Sequence, residues 1–529
     1  MKATAGVREL VKLAARRDRI MLPLWAYALI GSAASTAYSI KGLYPGQASR
    51  LRFTEDINAA PAAAALYGRI DGSSLGAITA WRAGVIGAVL AAVMSILLVV
   101  RHTRAEEQAG RLELVVSGAV DRFAPLAAAL QLTISVNVAV GVVIGVVLPF
   151  LGLQAAGAFV LGLSVAGAGA FFAAVAAVTA QLFESSRSAN AVAFAVLGFF
   201  YLVRAVADII PASWLLWFSP VGWAEQSRPY AGDRWWVLSL AFLAAGLLVA
   251  AAVRLSRLRD FGSGILPARP GPRYAAADTR GVFGLAWRLH RATLAGWSFG
   301  ILAGAAVLGL FAKDVVVLTS SARVEKIMSE LGGTQNMTDA YLSTIMNLLG
   351  VLAAAYAVSV IVRARGEETG GRAEAVLAGA EGRGRWLLSH VLFAAAGSGV
   401  LLVVAGLAGG LADGLRTHDL AGTLGTVSGA ALAQWPAVLV VTGFAAVLFA
   451  ALPARTAAAW GLFGLFAFLT LLAPGVKLSQ AVLDLSPFNQ VPKLPGAVFT
   501  ATPLVVLGAV AAALLAAAVV AFRRRDLSA

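Results

Sequence analysis

No cysteine occurs among the 529 residues. That excludes disulfides, thiolate metal ligands and cysteine nucleophiles, and it leaves the redox compartment open. Charge is scarce: 13% of residues are Asp, Glu, Lys or Arg, against about a quarter in soluble domains. Histidine is scarcer still. His102, His290, His390 and His418 are scattered and set no metal spacing. No Gly-x-x-x-x-Gly-Lys-Ser/Thr phosphate loop occurs, so nucleotide chemistry must lie elsewhere. No Ser/His/Asp arrangement is visible, which argues against a membrane enzyme.

What the chain has is apolar length. Hydrophobic residues make up 59% of it, gathered in runs of about 20, long enough to cross a hydrocarbon layer as helices. In lipid the backbone must satisfy its own hydrogen bonds, so these runs read as helices. Twelve spans are expected, at 20–40, 83–100, 123–150, 155–182, 189–210 and 235–253, then 292–311, 341–362, 386–411, 424–451, 457–474 and 501–521. The first run is too long for a signal peptide core and has a counterpart later in the chain, so it reads as a retained span.

The net charge of +15 does not indicate nucleic acid. The Lys and Arg sit in short clusters between apolar runs, without interleaved stacking aromatics. Most of them fall on one side if both termini are cytoplasmic, including Arg254, Arg257 and Arg259 and the terminal Arg523, Arg524 and Arg525. That is the positive-inside pattern of a multi-pass plasma-membrane protein.

The chain repeats itself. Arg104, Glu106, Glu107, Gly110, Arg111, Glu113 and Val115 recur as Arg365, Glu367, Glu368, Gly371, Arg372, Glu374 and Val376, a constant spacing of 261 residues. Arg16, Arg19 and Trp25 correspond to Arg288, Arg291 and Trp297, Arg187 to Arg455, and Ser219-Pro220 to Ser486-Pro487. The fold class expected is an all-α polytopic membrane protein. Its twelve helices form two parallel six-helix repeats with pseudo-two-fold symmetry. The halves are 1–260 and 275–529, joined by a cytoplasmic linker at 261–274 that is rich in Pro and Gly.

Four elements carry functional candidates. Before each half an amphipathic interfacial helix is expected, with Val7, Leu10, Val11 and Ala14 opposite Arg8, Lys12, Arg16 and Arg19 in the first, and Arg288 and Arg291 among the basic residues of the second. In the duplicated acidic segment, helical spacing predicts Glu107–Arg111 and Glu368–Arg372 ion pairs. It also predicts stripes of Glu106, Gly110 and Glu113 and of Glu367, Gly371 and Glu374 along an exposed helix. Such a segment is either a solvated loop helix or a docking surface, and its duplication favours docking to a two-fold partner. The stretch 211–236 holds five tryptophans, Trp214, Trp217, Trp223, Trp235 and Trp236, with Arg228 and Tyr230 among them. It reads as an aromatic belt and as an outer cap over a pathway. Arg204 and Asp208 lie one turn apart near the outer end of the fifth helix, as a pair or as snorkelling charges. Gly141 and Gly145, and Gly296, Gly300 and Gly304, are spaced for helix packing.

The Glu-Glu-x-x-Gly-Arg-x-Glu-x-Val segment resembles the inner-loop signature of type-2 ABC exporter permeases. The Ser219-Pro220-x-Gly222-Trp223 stretch, running on through Arg228, Pro229, Tyr230, Asp233, Arg234, Trp235 and Trp236, resembles the actinobacterial exporters of polyketide antibiotics, the tetronasin-resistance type. The resemblance implies a cytoplasmic ATPase homodimer carrying ATP and Mg2+, contacted through the acidic loops. It also implies export of hydrophobic or antibiotic-like small molecules, with no cofactor or enzyme activity on this chain. An ion-coupled secondary transporter offers a similar two-half plan, but no charge falls near a helix centre to bind its ion. A non-transporting scaffold would leave two docking loops unexplained.

Overall fold

The computed structural model describes residues 6–59, 61–112, 120–209, 213–266, 281–310, 312, 337–379, 381–471 and 479–525. The chain forms two compact units, Met1–Gly271 and Pro272–Ala529. Both are built of helices. Among the described residues ten helices are long and apolar enough to cross a membrane, or eleven if one bent pair counts as a span.

The first unit opens with α1 (Val7–Arg17) and α2 (Met21–Leu43), which meet at 74°. Pro23 in the first turn of α2 lacks the N–H needed to continue a helix from α1. Asp18 fills the corner. Its buried carboxylate meets His102 at 2.5 Å and Arg101 at 3.0 Å. The short helices α3 (Gln47–Asn58) and α4 (Pro61–Tyr67) lead to α5 (Leu75–His102), which starts eight residues before the expected span. Ser74 caps it, accepting from the Ala77 N–H at 3.0 Å. A short α6 (Arg104–Gln108) follows, then α7 (Ala124–Phe150), α8 (Ala155–Leu182), α9 (Ser186–Ile209), α10 (Pro220–Gln226) and α11 (Trp235–Leu258).

Helix α8 is the centre of this unit, packed on α5, α7, α9 and α11 and buried along nearly its whole length. Its Ala/Gly composition permits this, because small residues let helix backbones approach. Gly141 on α7 and Gly162 on α8 meet backbone to backbone, and Gly145 lies under the Phe159 ring. Asn137 on α7 donates to Ser95 of α5 at 2.9 Å and packs over Gly169 of α8.

The second unit comprises α12 (Gly281–Leu310), α13 (Met337–Thr369), α14 (Arg372–Leu377), α15 (Arg383–Thr417), α16 (Leu420–Leu432), α17 (Trp435–Ala451), α18 (Ala458–Leu471) and α19 (Ala501–Arg524). One expectation is corrected here. The separate interfacial helix expected before this half is the first turns of a continuous α12, because Ala295 stands where the first half has Pro23. The span expected at 424–451 is the Leu420–Ala451 span, α16 and α17 in line with a short break at Ala433 and Gln434. Of the span expected at 457–474 the described part is a 14-residue helix, α18, and positions 472–474 lie outside the described residues.

Glycine packing also differs from expectation. A methyl group on Gly296, Gly300 or Gly304 would meet nothing within 4 Å. The close approach is made by Gly406, Gly410 and Gly414 of α15 instead. Methyls there would fall 2.6, 3.1 and 3.1 Å from the Cα atoms of Ser428, Leu424 and Leu420, so α16 runs back antiparallel along that stripe.

Candidate functional site

The acidic segment follows α5 in the first unit and ends α13 in the second. Its helix stops at a left-handed glycine in both, Gly110 at φ 71° and Gly371 at φ 70°, a conformation glycine adopts without steric cost. The turn overturns the expected i,i+4 pairs. Arg111 swings back onto Glu106, at 2.8 and 2.9 Å, and Arg372 onto Glu367, at 2.7 and 3.3 Å. The expected helical stripes are likewise interrupted. Glu113 lies outside the described residues; Glu374 is exposed on α14.

The neighbouring acids are not on the surface. Glu107, Glu367 and Glu368 are buried. Glu107 accepts from Arg259 at 2.6 and 2.9 Å, from Arg104 at 2.8 Å and from the Gly262 N–H at 2.7 Å. Arg104 also donates to the Glu184 carbonyl at 2.8 Å, and Arg259 to the Gln181 side chain at 2.7 Å. In the second unit Glu368 meets Arg365 at 3.0 Å and accepts from Arg525, which also donates to the Phe449 carbonyl at 2.7 Å. Each buried carboxylate thus has guanidinium partners, as a buried charge requires. What remains exposed is the tip: Gly110, Arg111, Gly371 and Arg372.

Beside each tip lies a cavity walled by the leading helix. In the first unit it measures about 270 Å³, between Leu10, Leu13 and Ala14 of α1 and Pro125, Ala128 and Ala129 of α7. In the second it measures about 140 Å³, between Val282, Leu285 and Ala286 of α12 and Trp386 and His390 of α15. Arg16, Arg19, Arg288 and Arg291 are exposed. Arg17 is tied to Glu106. The scattered histidines are partly gathered, with His290 Nε2 3.0 Å from His390 Nδ1.

A second cluster forms at the opposite end of α5, in the first unit. Arg204 is fully buried, so it does not snorkel. It pairs with Asp208 at 3.2 Å as expected from the sequence. It also donates to the carbonyls of Ala65 and Leu66, the bare C-terminal carbonyls of α4. Tyr201 donates to Leu66 as well, at 2.9 Å. Glu225 of α10 lies 3.8 Å from Arg204 and accepts from the Arg69 N–H at 3.3 Å. Burial first, and then the charge of Asp208, push the Glu225 carboxyl up to about 8.

The tryptophan-rich stretch has a local logic. Ser219 caps α10, accepting from Gly222 at 3.2 Å, and donates to the Phe200 carbonyl at 2.7 Å. Pro220 occupies the first helical position, which needs no N–H. Gly222 is required because a methyl there would lie 2.6 Å from the Leu216 carbonyl oxygen. Trp223 donates to the Trp217 carbonyl at 2.7 Å, and Trp217 stacks on Trp236. Arg228 pairs with Asp71 at 3.5 Å. The Tyr230 ring plugs the gap over Gly76 and Gly157. In the second unit Ser486 keeps the hydroxyl bond to the preceding helix, donating to Phe466 at 3.2 Å.

Between α5 and α9 the first unit has an open apolar cleft of about 490 Å³, lined by Val85, Val89, Leu90, Phe194 and Leu197. Leu66, Tyr67 and Tyr201 also line it, so the Arg204 cluster fastens one of its walls.

Sequence reading missed Arg259, Arg525, Glu225 and Arg69. In the sequence the first two read as topology signals; their shared place just after the last helix of each half is the available clue.

Comparison with known proteins gives the family. The family described as "Multidrug efflux system permease Rv1217c, C-terminal domain" matches residues 8–255 and 280–523. The multidrug efflux system permease protein Rv1217c of Mycobacterium tuberculosis is 41% identical over 524 residues, 98% of this chain and 95% of the relative. With many apolar helices and that relationship along its whole length, the chain is a multi-pass membrane protein that belongs to the multidrug efflux permease family.

Proposed function

We propose that the chain is the permease subunit of an ATP-driven exporter of hydrophobic or amphiphilic drug-like compounds, of the tetronasin-resistance type. ATP and Mg2+ belong to a separate cytoplasmic ATPase homodimer. The observation that carries the reading is the recurrence, in each unit, of an exposed Gly-Arg tip on a buried acid–arginine base. Two like tips suit a two-fold partner. The two stretches matched by one family description support a doubled plan; in this reading it has twelve spans, with α2 and α18 among them, and the positive-inside charge pattern puts both termini in the cytoplasm.

In this reading Arg104, Glu106, Glu107, Gly110, Arg111 and Glu113, with Arg365, Glu367, Glu368, Gly371, Arg372 and Glu374, form the coupling segments. The buried members hold the tip and the exposed ones meet the ATPase. The α5–α9 cleft offers apolar walls without a polar constellation, suited to varied hydrophobic compounds. Arg204, Asp208, Trp217, Trp223, Arg228 and Tyr230 hold the outer gate, with Glu225 and the end of α4 as parts the sequence did not reveal.

The test is reconstitution in proteoliposomes with and without the partner ATPase. Dye accumulation should need ATP and the ATPase, and should survive collapse of the proton gradient. Accumulation without ATP that vanishes with the gradient would make the chain a secondary transporter.

A further inference from the structure

A basic residue that only orients a chain in the membrane has no reason to be buried. Arg259 and Arg525 are largely withdrawn from the surface, with side chains 12% exposed, while Arg111 and Arg372 are 56% and 64% exposed. Each sits one residue past the last long helix of its unit, Arg259 after α11 and Arg525 after α19. Each reaches the buried acid of the segment, Glu107 or Glu368. Each also grips the far end of a packed helix, through Gln181 of α8 or the Phe449 carbonyl of α17. The sequence separations are 152 and 157 residues. The same three-way junction is therefore built in both units from distant parts of the chain.

We propose that Arg259 and Arg525 are positioning residues that make the acidic segment and the last helix of each unit move as one body. A displacement of the Gly110–Arg111 or Gly371–Arg372 tip is then delivered to α11 or α19. Glu107 is held by three side-chain bonds from two guanidinium groups and one N–H from the chain after α11. A planar fork fixes orientation as well as distance, which a lysine in its place cannot do. The inference rests on the exporter reading for its consequence in transport, but its geometric part does not.

Two measurements test it on the full chain in complex with the ATPase. The absence of native cysteine allows spin labels at Ala109→Cys and Asp260→Cys. Their distance should be the same without nucleotide and with trapped ATP, and should broaden or split in Arg259→Lys. A distance that shifts between the two states without that substitution, or one that Arg259→Lys leaves untouched, overturns the proposal. The second measurement is the ratio of rhodamine 6G transported to ATP hydrolysed in the Arg259→Lys/Arg525→Lys double variant. Hydrolysis should stay within about twofold while the ratio falls about tenfold, because charge is kept and geometry is lost. Export and hydrolysis falling together, in step with the amount of folded protein, indicates a merely structural role and also overturns it. If the unsubstituted complex moves no dye with ATP, the exporter reading fails and the spin-label distances alone decide the junction.

Discussion

Gly141 and Gly162 pack with no room for a side chain: a methyl on Gly162 would sit 2.0 Å from the Gly141 carbonyl oxygen, and one on Gly141 would sit 2.5 Å from that of Gly162. This contact brings α7 and the central helix α8 together. Gly162→Ala should therefore destabilise the protein by at least about 1–3 kcal/mol, the usual cost of overpacking. Gly300→Ala, which meets open space, should be neutral or slightly stabilising through helix propensity. Thermal unfolding in detergent compares them. Equal melting temperatures would mean that the α7–α8 crossing is not as described.

The topology can be read by thiol labelling. Ala109 and Thr369 are exposed beside the two tips. Single cysteines there should resist impermeant thiol reagents in intact cells and react in inside-out vesicles. Labelling of either from outside would reverse the orientation.

Glu113→Ala combined with Glu374→Ala should leave the permease in the membrane and abolish substrate-stimulated ATP hydrolysis, with each single change doing less. Glu374 is exposed on α14, so its loss should cost little stability. Unchanged stimulation in a normally expressed double variant would reduce these acids to solvated surface.

Arg204→Ala removes the partner of Asp208 and Glu225 and frees the Ala65 and Leu66 carbonyls. Breaking a buried pair from one side costs about 3–5 kcal/mol. The variant should melt earlier and export poorly while still engaging the ATPase. Tyr201→Phe, which deletes one bond to Leu66, should cost about 1 kcal/mol and slow export less. Normal export by Arg204→Ala would dismiss the outer-gate role.

Glu225 gives a pH signature of defined sign. Its ordinary carboxyl value is 4.5 and burial raises it to about 8 in the folded chain, so the native state holds a proton that the unfolded state releases. Its contribution to stability is complete below 4.5 and is lost as pH rises through about 8. The melting temperature should thus fall across that window, and Glu225→Gln, neutral at every pH, should flatten the slope. An unaltered slope in Glu225→Gln would place the proton elsewhere.

Much of this protein was fixed by its own sequence, because the relevant physics is local. Apolar runs of spanning length dictate membrane helices wherever they occur, and α7, α8 and α11 begin within a residue of their expected positions. Scarcity of charge made the repeated acidic segment conspicuous. The Ser219-Pro220-x-Gly222 sequence specifies a capped turn by itself. Only the tertiary structure decided which charges meet. Whether Arg111 takes Glu106 or Glu107 depends on one left-handed glycine. That Glu107 takes Arg259, and Glu368 takes Arg525, depends on helix packing that joins residues 152 and 157 positions apart. Sequence spacing constrains contacts only along one helix. Across helices, burial selects the partner, because an acid shut away from water must find its guanidinium wherever the chain has carried it.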